Sequence, residues 1–133
     1  MRNRVSIVTG TPPIVWLDGE LLLTTLGNLL ANAGHHTPSG TAIHLHASIP
    51  DDLTLEIRVR DEGPGLENPA RVFDRLHRGQ ESRPGGLGLG LSIVRGLARG
   101  LGGDIEARNA PAGGAEFVLR LPVKTATEIP SPP

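Results

Sequence analysis

Gly85-Gly86-Leu87-Gly88-Leu89-Gly90-Leu91, continuing as SIVRGLARGLGG to Gly103, is the stretch on which the fold turns. From about Gly88 the residues Leu89, Ile93, Leu97 and Leu101 recur every four positions. That spacing predicts an amphipathic helix ending at Leu101, with Gly102-Gly103 as its cap. The opening is rich in glycine, so unpaired N–H groups and the positive end of the helix dipole meet where backbone comes close to a ligand. Such a start is an anion site. Two common phosphate-binding loops are excluded. A Walker A loop ends in Lys-Ser/Thr, and the only lysine is Lys124. A dinucleotide fingerprint begun at Gly86 requires glycine where Leu91 stands, and no strand immediately precedes it.

Upstream, the chain is irregular from Glu62 to about Leu87, roughly 25 residues of Gly, Pro and Arg, with one helical turn expected near Ala70 to Asp74; loops of that length inside a domain are functional or disordered. Before the loop, Leu53, Leu55, Ile57 and Val59 alternate inward as a strand. Ala42 to Ile49 does the same through Ile43, Leu45, Ala47 and Ile49, with Asp51-Asp52 as the turn between the two. A helix is expected after Asp18, an N-cap residue with Glu20 in the first turn, and its apolar face is Leu22, Leu26, Leu29, Leu30 and Ala33. Short strands at Val5 to Val8 and Ile14 to Leu17 precede it. Ile105 to Arg108 and Ala115 to Leu121 form a last hairpin. Residues 1–124 make the domain, and the Pro-rich stretch 125–133 is expected to be a disordered tail. Strands divided by helices yet including hairpins point to a mixed sheet with helices on one face.

Composition narrows the function. At 133 residues the chain fits one domain. Trp16, Phe73 and Phe117 are its only aromatics, so the core falls to Leu, Ile, Val and Ala. A net charge of −1 provides no field toward nucleic acid or anionic lipid. The absence of cysteine rules out disulfides, thiol catalysis and cysteine zinc sites. No apolar run approaches the roughly 20 residues of a membrane helix, and the N-terminus has no signal-peptide core. A soluble piece is expected.

Four patterns carry chemistry. Asn28 and Asn32 lie four apart on one face of the first helix. A carboxamide oxygen at the edge of a core is a hard neutral ligand suited to Mg²⁺. Asp61 ends a strand in Asp61-Glu62-Gly63-Pro64-Gly65, where a carboxylate accepts from an exocyclic amine and glycines let backbone approach a flat ring. In Val72-Phe73-Asp74-Arg75-Leu76-His77-Arg78, Phe73 reads as an anchor, and Arg75 and Arg78 as bidentate phosphate contacts. The glycine run at 85–90 is the fourth. Taken singly, these patterns also fit helix-bridging asparagines, an ordinary Asp-Gly turn and a solvated basic turn.

In series they resemble the N, G1, F and G2 boxes of the bacterial sensor histidine kinases, within the superfamily that also holds gyrase, Hsp90 and MutL. The resemblance covers Asp18 to Pro122. The segments VFDRLHRG, GGLGLGLSIVRGLARGLGG and NAPAGGAEFVLRLP look most like the KdpD-type potassium-sensor kinases. It implies an α/β two-layer sandwich of the Bergerat ATP-binding type: a mixed, mostly antiparallel sheet of about five strands under about three helices, with a long ATP lid over Glu67 to Pro84. By the same resemblance ATP and Mg²⁺ are the cofactors. Asn32 is the Mg²⁺ ligand and Asn28 stands beside it near the phosphates. Asp61 receives the adenine amine, Gly63 and Gly65 shape that pocket, and Phe73 anchors the lid. Arg75 and Arg78 steady the lid or the γ-phosphate. Gly86, Gly88 and Gly90, with Leu87 and Leu89 between them, present backbone N–H groups to the phosphates. The family's usual Lys-Tyr after the N box is replaced by His35-His36, so a phosphate contact there requires protonated His35.

The implied reaction moves the γ-phosphoryl group of ATP to a histidine on a separate dimerisation domain, and from there to a response regulator. The implied parent is a homodimeric, membrane-anchored sensor with this domain, itself monomeric, on the cytoplasmic side. No acceptor motif surrounds any of the five histidines, His35, His36, His44, His46 and His77. The nearest rival, a gyrase- or Hsp90-type ATPase, uses a glutamate where this chain has Asn28, which cannot take a proton. An anti-sigma-type serine kinase and a non-catalytic module that keeps the fold are the others.

Overall fold

The computed structural model describes residues 4–9, 14–38, 40–51, 53–74 and 87–126. Strand β1 (Arg4–Thr9) and the short β2 (Ile14–Trp16) lead to helix α1 (Gly19–His36). Asp18 caps that helix as its residue type dictates, its Oδ1 accepting from the Leu21 N–H at 3.0 Å. Strands β3 (Ala42–Ser48) and β4 (Thr54–Asp61) follow, then a 3-10 turn at Pro69–Arg71, helix α2 (Leu87–Gly100), and strands β5 (Asp104–Asn109), β6 (Ala115–Pro122) and β7 (Lys124–Ala126).

Five strands form one mixed sheet in the order β1-β3-β4-β6-β5, with β1 parallel to β3 and every other pairing antiparallel. Both α-helices pack on one face of it, and with the 3-10 turn they are the helical elements among the described residues. This is the α/β sandwich expected. Leu29 and Ala33 of α1 meet Ile57 and Val59 of β4, Phe117, Leu119 and Leu121 of β6, and Leu91, Val94 and Ala98 of α2 in a single core. The alternation along β4 buries Leu55, Ile57 and Val59, and the same period carries Asp61 onto the helix side at the strand's end.

Three expectations are corrected. On α2 the expected stripe fails at Ile93, which is 52% exposed, while Leu91, Val94 and Ala98 are buried; Leu101 packs against the core as expected, and the Leu89 side chain lies outside the described residues. Spacings of three and four track a 3.6-residue helix better than repeated fours, so the buried line runs through 91, 94 and 98. Leu53 is exposed because it precedes β4, in a turn where Asp51 Oδ1 accepts from the N–H groups of Leu53 and Thr54. Thr125 and Ala126, expected in the tail, lie in β7, which pairs antiparallel with β2 as a second, two-stranded sheet. The rest of the tail, 127–133, lies outside the described residues.

The cap of α2 is as expected. Gly102 has a φ of 87°, Gly103 N–H donates to Ala98 C=O and Gly102 N–H to Arg99 C=O, the paired bonds of a Schellman ending.

The other sheet face carries charge, and no helix among the described residues packs on it. Glu56 takes hydrogen bonds from Arg58 (2.6 Å) and Arg120 (3.3 Å), Arg120 also reaches Glu106 (3.0 Å), and Arg108 pairs with Glu116 (2.5 Å). Burial pushes the Glu56 carboxyl up, but the two guanidiniums outweigh it and hold the group below its ordinary value. Val118 faces this side by alternation, flanked in register by Arg58 and Glu106, and is 0% exposed. Arginine stems laid across a sheet cover apolar surface, which accounts for a buried valine on a face where no described helix lies.

Candidate functional site

A cleft opens between the C-terminal part of α1, the end of β4 and the start of β6. Asn32, Ala33, Asp61, Pro64, Gly65, Leu66, Ala115 and Phe117 line it. The cavity itself is small, about 10 Å³, room for about one water and far below the roughly 300–1,000 Å³ of a complete small-molecule pocket. These residues therefore line a narrow cleft that a nucleotide does not fill as it stands.

Asn32 is 2% exposed, and neither its Oδ1 nor its Nδ2 has a hydrogen-bond partner among the described residues. A buried polar group left unmet costs about 1–3 kcal/mol. Helix α1 holds Asn32 there because its neighbours on that face, Thr25, Leu29 and Ala33, are packed into the core. Such an amide is placed for a ligand. Asn28, one turn earlier, is half-exposed and turned back along the helix, its Nδ2 donating to Thr24 C=O at 3.0 Å. The cleft brings Asn32 and Asp61 together but does not include Asn28.

Asp61 is 3% exposed. Its Oδ1 accepts from Gly63 N–H at 2.9 Å and from Ala115 N–H at 3.1 Å. Both bonds seen among the described residues land on one oxygen, so Oδ2 is left as an acceptor toward the cleft. The approach of the last hairpin to this carboxylate is close. A Cβ on Gly114 (φ 83°) would stand 1.9 Å from Asp61 C=O, so only glycine fits there. On the other flank Thr37, which closes α1 with Oγ1 bonded to Ala33 C=O, has its methyl 2.8 Å from where a Gly63 Cβ would be.

Phe73 is buried, standing edge-on to Phe117 at 6.2 Å with the Arg95 guanidinium 4.6 Å from its ring centre. Arg95 also donates to Asp104 Oδ1 at 3.2 Å and Ile105 C=O at 3.3 Å, and Arg99 reaches Asp104 Oδ2. Phe73 thus pins the start of the long loop to α2 and to the core residue Phe117, which itself lines the cleft. Described residues of the expected lid end at Asp74; Arg75, Arg78 and Gly86 lie outside them. Leu87, Gly88, Leu89 and Gly90 form the first turn of α2, as the glycine run indicated. His35 and His36 end α1, and only their backbone is described.

Sequence reasoning missed Thr37, Gly114, Ala115 and Asn109. Asn109 Oδ1 accepts from Leu66 N–H at 2.7 Å, and its Nδ2 donates to Leu66 C=O at 3.0 Å. The only sequence signal was a turn-forming run, Asn109-Ala-Pro-Ala-Gly-Gly114, which marks a hairpin but not what the hairpin holds.

The family model described as "Histidine kinase-, DNA gyrase B-, and HSP90-like ATPase" matches residues 17–125. The signal transduction histidine-protein kinase AfsQ2 of Streptomyces coelicolor is 44% identical over 88% of this chain and 21% of its own length. Sensor protein KdpD of Rathayibacter rathayi is 40% identical over 84% of this chain and 13% of its own. The chain thus spans about a fifth or less of the curated relatives it is set against here. Among solved structures, full-length ShkA in complex with AMPPNP matches with a TM-score of 0.73 at 29% identity, covering 93% of this chain and 26% of that one.

Proposed function

Because the chain belongs to the histidine kinase-, DNA gyrase B- and HSP90-like ATPase family, we propose that it binds ATP with Mg²⁺ and passes the γ-phosphoryl group to a histidine on a separate dimerisation domain. The observation that carries this reading is the buried, unpartnered Asn32 amide in the same cleft as Asp61. A carboxylate lining the cleft, with one oxygen held by backbone N–H groups, leaves its other oxygen to read an exocyclic amine. The unmet amide oxygen beside it is a hard donor that fits Mg²⁺. When bound, the metal neutralises phosphate charge.

The chain's own contribution is positioning. Asp61 is oriented by two backbone N–H groups before any ligand arrives, and Asn32 is locked by core packing. The first turn of α2 presents N–H groups at its positive end to anionic oxygens. His35-His36, Phe73, Arg75 and Arg78 remain assigned as in the family pattern, the two arginines with the lid or the γ-phosphate. In phosphoryl transfer this placement and charge stabilisation is most of catalysis.

Kinase is favoured over ATPase by Asn28. Its amide is tied to Thr24 C=O and has no basic site to take a proton from water. Bound ATP then persists until a neutral imidazole from the partner domain enters. The implied partners are that phosphoacceptor domain and, indirectly, a response regulator, in a homodimeric sensor anchored in the membrane with this domain on the cytoplasmic side. Among the described residues no helix is long and apolar enough to cross a membrane. The test is incubation with Mg²⁺ and γ-labelled ATP, with and without a histidine kinase dimerisation domain. Label on the acceptor histidine is expected. Phosphate release without acceptor at the roughly 1 s⁻¹ low end of ordinary enzymes would assign the chain to the ATPase branch.

A further inference from the structure

We infer that Asn109 is a positioning residue whose carboxamide clamps the wall of the cleft and so sets how tightly the ring end of the nucleotide is held. The inference rests on the ATP reading above and adds to it a residue outside the four sequence boxes. Asn109 is exposed at the end of β5, where water could satisfy its amide. Instead both of its polar atoms are spent on one distant residue, the Leu66 N–H at 2.7 Å and the Leu66 C=O at 3.0 Å. These are the two bonds a neighbouring strand would make, supplied by a side chain. The fit leaves no slack, since a Cβ on Gly65 (φ 87°) would stand 2.7 Å from Asn109 Oδ1.

The register explains what the clamp does. Asn109 is paired with Ala115 across β5 and β6, and the Ala115 N–H is the one that holds Asp61 Oδ1. A single rung of the sheet therefore grips the Asp61–Leu66 loop at both ends, Asp61 from β6 and Leu66 from β5. Bonds from Ala110 N–H to Gly114 C=O and from Gly113 N–H to Ala110 C=O, each 2.9 Å, close the hairpin behind that rung. With the Asn109 bonds removed, Asp61 stays tethered, while Gly65 and Leu66 lose their fixed distance from it. The cleft then pays ordering entropy whenever a ring enters.

The experiment compares wild type, Asn109→Ala and Asn109→Asp in the 133-residue chain. Calorimetry uses adenosine and, separately, inorganic triphosphate with Mg²⁺, and hydrogen exchange follows the Leu66 amide against Val118 and Leu119 in β6. Asn109→Ala is expected to lose about tenfold in adenosine affinity, the scale of two hydrogen bonds, with triphosphate affinity and β6 protection unchanged and Leu66 exchange faster. Asn109→Asp keeps one acceptor but sets its second oxygen against Leu66 C=O, so it should behave like alanine. Equal losses for both probes, unchanged Leu66 exchange, or a wild-type-like aspartate variant would each overturn the clamp. Wild-type chain that binds neither probe would overturn the ATP reading itself and this role with it.

Discussion

Replacing Asp61 with asparagine separates the structural and the ligand-reading halves of one carboxylate. Oδ1 accepts from Gly63 and Ala115 at 2.9 and 3.1 Å. An asparagine that keeps its oxygen there preserves both bonds, so the fold should survive. Its nitrogen then replaces Oδ2, the atom left toward the cleft. A donor facing the amine of adenine removes one hydrogen bond and leaves a buried group unmet, which costs about 1–3 kcal/mol. That is roughly a 5- to 150-fold loss in ATP affinity. Asp61→Ala is the contrast: it strands the two N–H groups as well, so it should lower stability by about 1–3 kcal/mol per group. Calorimetry with ATP and GTP, beside thermal unfolding, reads both halves. Asp61→Asn should bind ATP weakly, lose preference for it over GTP and unfold near the wild-type temperature. An asparagine variant that binds ATP as wild type does, or wild type that binds GTP equally well, would refute the assignment.

Three more perturbations test the surroundings. Asn32→Leu, nearly isosteric, removes two buried unmet atoms and should stabilise the chain by about 1–3 kcal/mol while abolishing Mg²⁺–ATP binding, a pairing that denaturant unfolding and calorimetry check together. Phe73→Ala takes away an edge-to-face partner of Phe117 and the ring under Arg95 and should cost about 3–5 kcal/mol in urea unfolding, as buried phenylalanines do. Glu56 is depressed in the folded state, so its stabilisation is present above its ordinary 4.5 and lost as pH falls through the lower folded value. Glu56→Gln should therefore flatten that acid limb in melting curves recorded from pH 6 downward, and an unchanged limb would rule out Glu56 as its source.

The helices, the strands and the order of the four boxes were legible along the chain because each depends on neighbours a few positions away. Asp18 caps α1 through a bond to a residue three positions on, and the alternation of β4 delivers Asp61 to the helix side by parity alone. Local pattern was not enough on α2. Glycines and leucines at 85–91 allow two stripes, and only the packing of Leu91, Val94 and Ala98 against α1 and the sheet chose between them. The same holds for the site. Asn28 and Asn32 are equivalent by spacing, yet the core buries one and leaves the other bonded to its own helix. The clamp of Asn109 on Leu66 spans 43 positions, and the bond from Ala115 to Asp61 spans 54. Contacts of that range leave no period in the sequence, because the strand pairing that creates them is set by burial over the whole sheet.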